Sequence, residues 1–148
     1  MIAIGSDHRG YKLKEKIKQY LEELGIEYKD FGCYSEERTD SPLIVRQVVK
    51  SIKEKECDKG ILLCGTGNAV SMTANKYRGI YCANCFNEDM AKYAKAHTNA
   101  NILAIPAEYV DEKEAVKMIR MWLATEFLEG RYRERIQMIE EIENENMK

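Results

Sequence analysis

Short unbroken apolar runs alternate along this chain with longer stretches in which apolar residues recur every three or four positions. The first run, "IAIG" (2–5), reads as a buried strand. Leu13, Ile17, Leu21 and Leu24 then repeat at helical spacing, and Gly25 supplies a C-terminal stop. "IEYKDFG" (26–32) predicts a second strand. Ser41-Pro42 opens a helix, with the proline near its first turn and Ile44, Val48 and Ile52 on one face. "GILLC" (60–64) is a third strand, and its freedom from polar residues fits a sheet covered on both faces. "GIYCANC" (79–85) and "NILAI" (101–105) predict two more, separated by "NEDMAKYAKAH" (87–97). A long helix is predicted from Asp111 to about Phe127. Gly130 interrupts it, and 131–148 reads as a last helix with a fraying end. There is no internal repeat and no linker.

Five strand–helix units in this order imply an open, five-stranded parallel sheet with helices on both faces, a three-layer α/β/α sandwich of Rossmann-like type. Such sheets bind ligands outside the carboxyl ends of their strands. Two segments fall there by sequence: "GSDHRG" (5–10) after the first strand and "CGTGNA" (64–69) after the third. Their convergence carries more weight than either segment alone.

Composition narrows the classes. A chain of 148 residues predicts one domain with a real core, and 45% hydrophobic with 32% charged residues excludes a disordered or low-complexity protein. A formal charge of −2 gives no basic field for nucleic acid. No apolar stretch approaches the roughly 20 residues of a membrane span, and "MIAIGSD" lacks the apolar core of a signal peptide. Five cysteines, an odd number, without a secretion signal predict reduced thiols in a cytoplasm.

The candidate chemistry lies in the two strand-end segments. Asp7 and His8 stand at the mouth of the sheet. A lone Asp there would merely cap the following helix, but an adjacent Asp-His pair at a strand end favours function. The dinucleotide spacing G-x-G-x-x-G is absent. Cys64-Gly65-Thr66-Gly67-Asn68 leads into a helix, so successive backbone N–H groups can point at one anionic atom. A thiol near the positive end of a helix is lowered from its reference pKa of about 8.5, which suits a base. A cysteine-phosphatase loop needs an arginine six residues after the thiol, where this chain has Val70. A buried structural cysteine stays open as the simpler reading, although it leaves the flanking glycines unexplained. Cys82 and Cys85 form a C-x-x-C pair at the end of a strand. With no second pair or nearby histidine, a structural role outweighs zinc or redox chemistry. His97 and Thr98 lie at a helix–strand junction. Arg131 and Arg135 share a helix face at i, i+4 and could grip a phosphate together, or simply form a solvated basic end.

Over nearly its full length the chain resembles the type B ribose-5-phosphate isomerase family, which includes the galactose-6-phosphate and allose-6-phosphate isomerases. The motifs are "IAIGSDHRGYKLK", "DFG", "SEERTDSP", "GILLCGTGNAVSMTANK", "NANILAI" and "WLATEFLEGRYRERI". The resemblance implies an aldose–ketose isomerase of a sugar phosphate that needs no cofactor and no metal. Cys64 would remove the proton beside the carbonyl, and Gly65, Gly67, Asn68 and Ala69 would hold the enediolate through backbone N–H groups. Thr66 would assist proton transfer, His97 would open the sugar ring, and Asp7 would contact a ring oxygen. His8, Arg131 and Arg135 would hold the phosphate. The resemblance also implies a homodimer or tetramer with shared sites, and residues 131–147 are expected to pack on a second subunit.

Departures from the family pattern cluster in the substrate shell. Thr98 stands where the family carries Asn, Glu108 where it carries Arg, Ala69 where it carries Gly, and Tyr132 where it carries His. A Glu108 carboxylate facing the phosphate is expected to make ribose 5-phosphate a poor substrate, unless Glu108 turns outward and Arg133 or a lysine takes the phosphate. A hexose 6-phosphate isomerase and a non-catalytic sugar-phosphate-binding subunit are the rival readings.

Overall fold

A computed structural model describes residues 1–147; Lys148, the last residue of the predicted terminal helix, lies outside them. Five strands, β1 (Ile2–Ser6), β2 (Tyr28–Asp30), β3 (Lys59–Cys64), β4 (Cys82–Asn84) and β5 (Ile102–Pro106), form one sheet in the order β2-β1-β3-β5-β4. Every pairing is parallel, with Ile4 opposite Ile61 and Leu62 opposite Ala104. The α/β architecture read from the apolar runs is the one observed.

Alternation along the strands divides the core in two. Ile2, Ile4, Ile61, Leu63, Leu103 and Ile105 face α1 (Tyr11–Glu23), α4 (Glu88–Ala96) and α5 (Glu112–Ala124). Ala3, Leu62, Cys64, Ile102 and Ala104 face α2 (Ser41–Lys53) and α3 (Asn68–Ala74). Period-2 side-chain direction thus turns each unbroken apolar run into two buried faces. The helix ends follow the sequence signals: Asn87 and Asp111 accept hydrogen bonds from the N–H groups of Met90 and Glu114, and Pro42 lies in the first turn of α2.

Two predicted strands are shorter than their apolar runs. β2 keeps three residues of 26–32, and β4 keeps three of 79–85. Both are edge strands, so each has one neighbour to pair with, and their flanks leave the ladder early. The helix expected to reach Phe127 ends at Ala124, where Thr125 turns extended and donates its hydroxyl to Met121 O. A last helix, α6 (Arg131–Asn146), begins beside α4, where Leu128 N–H bonds to Ala96 O. It ends near the turn before β4, where Glu143 accepts from Gly79 N–H and Arg78 reaches Asn144. Within the chain α6 buries Ile136 and leaves Met138, Ile139 and Ile142 exposed.

Beneath the sheet edge lies a buried ion cluster. Lys14 on α1 is fully buried, and it donates to Asp30 at the end of β2, as does Lys18 at 2.9 Å. Burial alone would push the Asp30 carboxyl up, but hydrogen bonds from Lys14, Lys18 and Gly32 N–H hold it below the usual carboxylate range.

Candidate active site

The strand order reverses direction between β1 and β3, since β1 leads on to β2 on one side and the chain returns to place β3 on the other. Loops after these neighbouring strands depart toward opposite helical layers and leave a crevice at their carboxyl ends. The first loop follows Ser6 and the second follows Cys64, so the two segments singled out in the sequence lie side by side. Asp7 N–H bonds to Leu63 O at 3.1 Å and ties them together.

Asp7 Oδ1 accepts the N–H groups of Arg9 (2.9 Å) and Gly10 (3.1 Å), which shapes the entrance to α1. Asp7 does not cap α1, whose N-cap is Gly10; it closes the turn before the helix, and both bonds use Oδ1. His8 Nδ1 accepts Thr39 N–H at 3.1 Å, which leaves the ring proton on Nε2 in the neutral form and fixes the ring against the 33–40 segment.

Cys64 closes β3 with 4% of its surface exposed, and its carbonyl accepts Ala107 N–H at 2.8 Å. Gly67 adopts φ +75°, a left-handed turn that favours glycine, and the chain then enters α3. Among the described residues, the N–H groups of Gly65, Thr66 and Gly67 donate to no backbone carbonyl. Asn68 N–H takes the Thr66 hydroxyl oxygen at 3.3 Å, and Ala69 lies exposed in the first turn. The loop therefore offers free donors beside a thiol.

Asn84, which sequence reasoning missed, braces this loop from the end of β4. Its Nδ2 donates to Thr66 O and to Asn68 Oδ1, both at 3.1 Å, while its buried Oδ1 has no partner among the described residues. Its signal was present: a polar residue at the carboxyl end of a predicted strand, inside "CANC".

A second group forms around α4 and α6. The His97 ring stacks between Tyr93 (4.6 Å between centroids) and Tyr132 (4.3 Å). Arg131 and Arg135 both lie over the outer ring of Tyr132, at 5.0 and 5.6 Å, so their predicted shared face is observed. The Thr98 hydroxyl donates to Ala94 O inside its own helix end and has no proton left to give a ligand. A cavity of about 470 Å³ opens here, lined by His97, Thr98, Tyr93, Asn87 and Asn84 among others. Asn84 is the residue this cavity shares with the Cys64 loop. Among the described residues, no hydrogen bond or ion pair joins Asp7, His8 or Cys64 to His97, Arg131 or Arg135. The candidate residues thus fall in two hydrogen-bonded or stacked clusters, with Asn84 touching both.

Glu108 lies beside the Gly65 loop with its side chain about half exposed, and it is not a lone carboxylate. Arg9 Nη1 donates to Glu108 Oε1 at 3.0 Å, a partner the sequence reading leaves unassigned. Arg133, the alternative cation for a phosphate, is committed instead to Glu129 through two bonds. The C-x-x-C pair is inert by environment. Burial pushes the Cys82 thiol up to about 12 and the Cys85 thiol up to about 11, the reverse of a redox-active pair.

Comparison with known proteins bears on this geometry. Residues 2–139 match the Ribose/Galactose Isomerase family model. The chain is 38% identical over 142 residues to ribose-5-phosphate isomerase B of Escherichia coli, covering 96% of this chain and 95% of that protein. The structure of ribose-5-phosphate isomerase B from Clostridium thermocellum superimposes with a TM-score of 0.95 at 42% identity, covering 97% of both chains. That from Mycoplasma genitalium, which carries bound ribulose 5-phosphate, gives a TM-score of 0.92 at 35% identity over 98% of this chain and 97% of that one.

Proposed function

The chain belongs to the ribose/galactose isomerase family, and from that premise we propose that it interconverts ribose 5-phosphate and ribulose 5-phosphate through an enediolate. The observation that carries this reading is the crevice at the β1/β3 reversal, where a buried-edge thiol borders a loop with free N–H donors. Aldose–ketose isomerisation moves one proton between adjacent carbons, so it needs a base, donors for the oxygens and an anchor for the phosphate.

In this account the Cys64 thiolate takes the C2 proton of the open-chain aldose, and the electron pair moves onto the carbonyl oxygen. The N–H groups of Gly65, Gly67, Asn68 and Ala69 stabilise the resulting oxyanion, and Thr66 relays the hydroxyl proton between O1 and O2. The proton held on Cys64 then returns to C1 and yields the ketose. His97 opens the ring, and Asp7, through Oδ2, holds a ring oxygen. His8, Arg131 and Arg135 hold the phosphate.

Among the described residues no hydrogen bond or ion pair links the His97 group to the Cys64 group within one chain, and this supports a site completed by a second copy. We assign the working enzyme as a homodimer or larger assembly whose sites pair the Cys64 loop of one copy with His97 and α6 of another. The exposed Met138, Ile139 and Ile142 on α6 supply an apolar surface for that contact. Five free cysteines suit a cytoplasmic setting, and among the described residues no helix is long and apolar enough to cross a membrane.

The test is turnover of purified protein against a panel of pentose and hexose phosphates without added metal or cofactor. Ketose formation from ribose 5-phosphate is the expected result. No turnover of any member would overturn the reading, and turnover confined to a hexose 6-phosphate would reassign the substrate.

A further inference from the structure

Arg9 follows His8 in the loop after β1 and reaches over the rim to the loop after β5, where it meets Glu108. The bridge lies over Gly65: a Cβ built there would stand 3.0 Å from Arg9 Cδ and 3.1 Å from Glu108 Oε1. Glu108 N–H is bonded to Gly65 O at 3.0 Å, so the carboxylate is anchored to the loop it covers. Loops after β1, β3 and β5 thus meet at one ion pair over Gly65, the residue that follows Cys64.

The pair is a poor device for stability. Its side chains are 58% and 45% exposed, and ion pairs in that setting contribute little. It is a good device for orientation. A guanidinium carries its donors in a rigid planar fork, and only Nη1 of Arg9 is bonded to a carboxylate among the described residues. Holding that nitrogen on Glu108 leaves Nη2 and Nε for a second oxyanion in a fixed plane. The arginines of α6 are placed differently, with Arg131 and Arg135 over Tyr132 and Arg133 on Glu129.

We propose that Arg9 is a substrate-binding residue that takes the phosphate monoester of the sugar, and that Glu108 positions it. The assignment rests on the isomerase reading above. It also changes the consequence of a glutamate at position 108: the cation is supplied from the first loop, and ribose 5-phosphate remains a suitable substrate.

The experiment measures KM and kcat for ribose 5-phosphate, inhibition by inorganic phosphate, and calorimetric binding of ribose 5-phosphate, on the oligomer as purified. Arg9→Gln should raise KM and the phosphate inhibition constant together by about ten- to a hundredfold, the worth of a charge-assisted hydrogen bond. Its kcat should stay within about threefold of the parent, because an anchor acts equally on ground and transition states. Arg9→Lys should recover part of the loss, since charge returns without the fork. Glu108→Gln keeps the acceptor that orients Arg9 and removes the competing charge, so it should lower KM. Unchanged KM and phosphate inhibition in Arg9→Gln would overturn the proposal while parent turnover leaves the isomerase reading intact. A parent that binds ribose 5-phosphate without converting any sugar phosphate, with binding lost in Arg9→Gln, would uphold the anchor and sink the isomerase reading. A parent that binds neither ribose 5-phosphate nor inorganic phosphate would sink both.

Discussion

Replacing Gly67 by alanine strikes the loop that the proposed chemistry depends on. At φ +75° an alanine pays roughly 1–2 kcal/mol relative to glycine. Its Cβ would also stand 2.1 Å from Asn84 Oδ1 and 2.7 Å from Asn84 Cγ, far inside contact distance. The asparagine must swing away and give up its bonds to Thr66 O and Asn68 Oδ1, each worth about 0.5–1.5 kcal/mol net. Gly67→Ala should therefore destabilise the protein by roughly 2–5 kcal/mol. Asn84→Ala removes the same two bonds at a cost of about 1–3 kcal/mol, toward the low end because its unpartnered buried Oδ1 goes with it. In the double variant the obstruction is gone and the bonds are already lost, so only the left-handed strain is added. The two single losses should thus exceed the double loss by about 1 kcal/mol or more, beyond the roughly 0.3–0.5 kcal/mol scatter of independent sites. Urea unfolding at fixed protein concentration, with unchanged m-values, measures all three. Additive losses would refute the claim that Asn84 and Gly67 are shaped against each other.

Two further outcomes follow from the ion cluster and from α6. Asp30→Asn leaves the fully buried Lys14 with only a long 3.5 Å contact to Glu15 and should cost about 3–5 kcal/mol in the same unfolding assay, and a loss under about 1 kcal/mol would show the cluster to be unimportant. Because the Asp30 carboxyl is depressed in the folded chain, its contribution is complete above the ordinary carboxylate range and disappears as pH falls through its folded value. Wild-type stability should therefore drop on acidification below about pH 4 more steeply than that of Asp30→Asn. Ile142→Glu together with Met138→Glu places charge on the exposed apolar side of α6, and light scattering should show a smaller assembly with reduced turnover; full assembly and activity in this variant would reject α6 as the shared surface.

Much of this was legible in the sequence because the physics is local. Buried parallel strands announce themselves as unbroken apolar runs, so β1, β3 and β5 fall where "IAIG", "GILLC" and "NILAI" place them. Edge strands obey a weaker constraint, and the runs around β2 and β4 overstate their ladders. The placement of Asp7, His8 and the Cys64 loop side by side at the carboxyl ends of β1 and β3 was readable because strand ends and glycines are local signals. Asn84 left only the weak signal of a polar residue at a predicted strand end and Arg9 left none, since their contacts cross the fold: Arg9 with a residue 99 positions away, Asn84 with Thr66 18 positions before it. Nor does a sequence show that the His97 ring is stacked between Tyr93 and Tyr132, a contact set by where α4 ends and α6 begins.

The central claim is that Cys64 moves the proton. Cys64→Ala should lower kcat for ribose 5-phosphate by about 10² to 10⁴, the usual worth of a general base, while calorimetric binding of ribose 5-phosphate stays near that of the parent. Exchange of the substrate C2 hydrogen with deuterated solvent should fall in the same proportion, because the same thiol would carry that proton. Near-parental turnover and C2 exchange in Cys64→Ala would contradict the account.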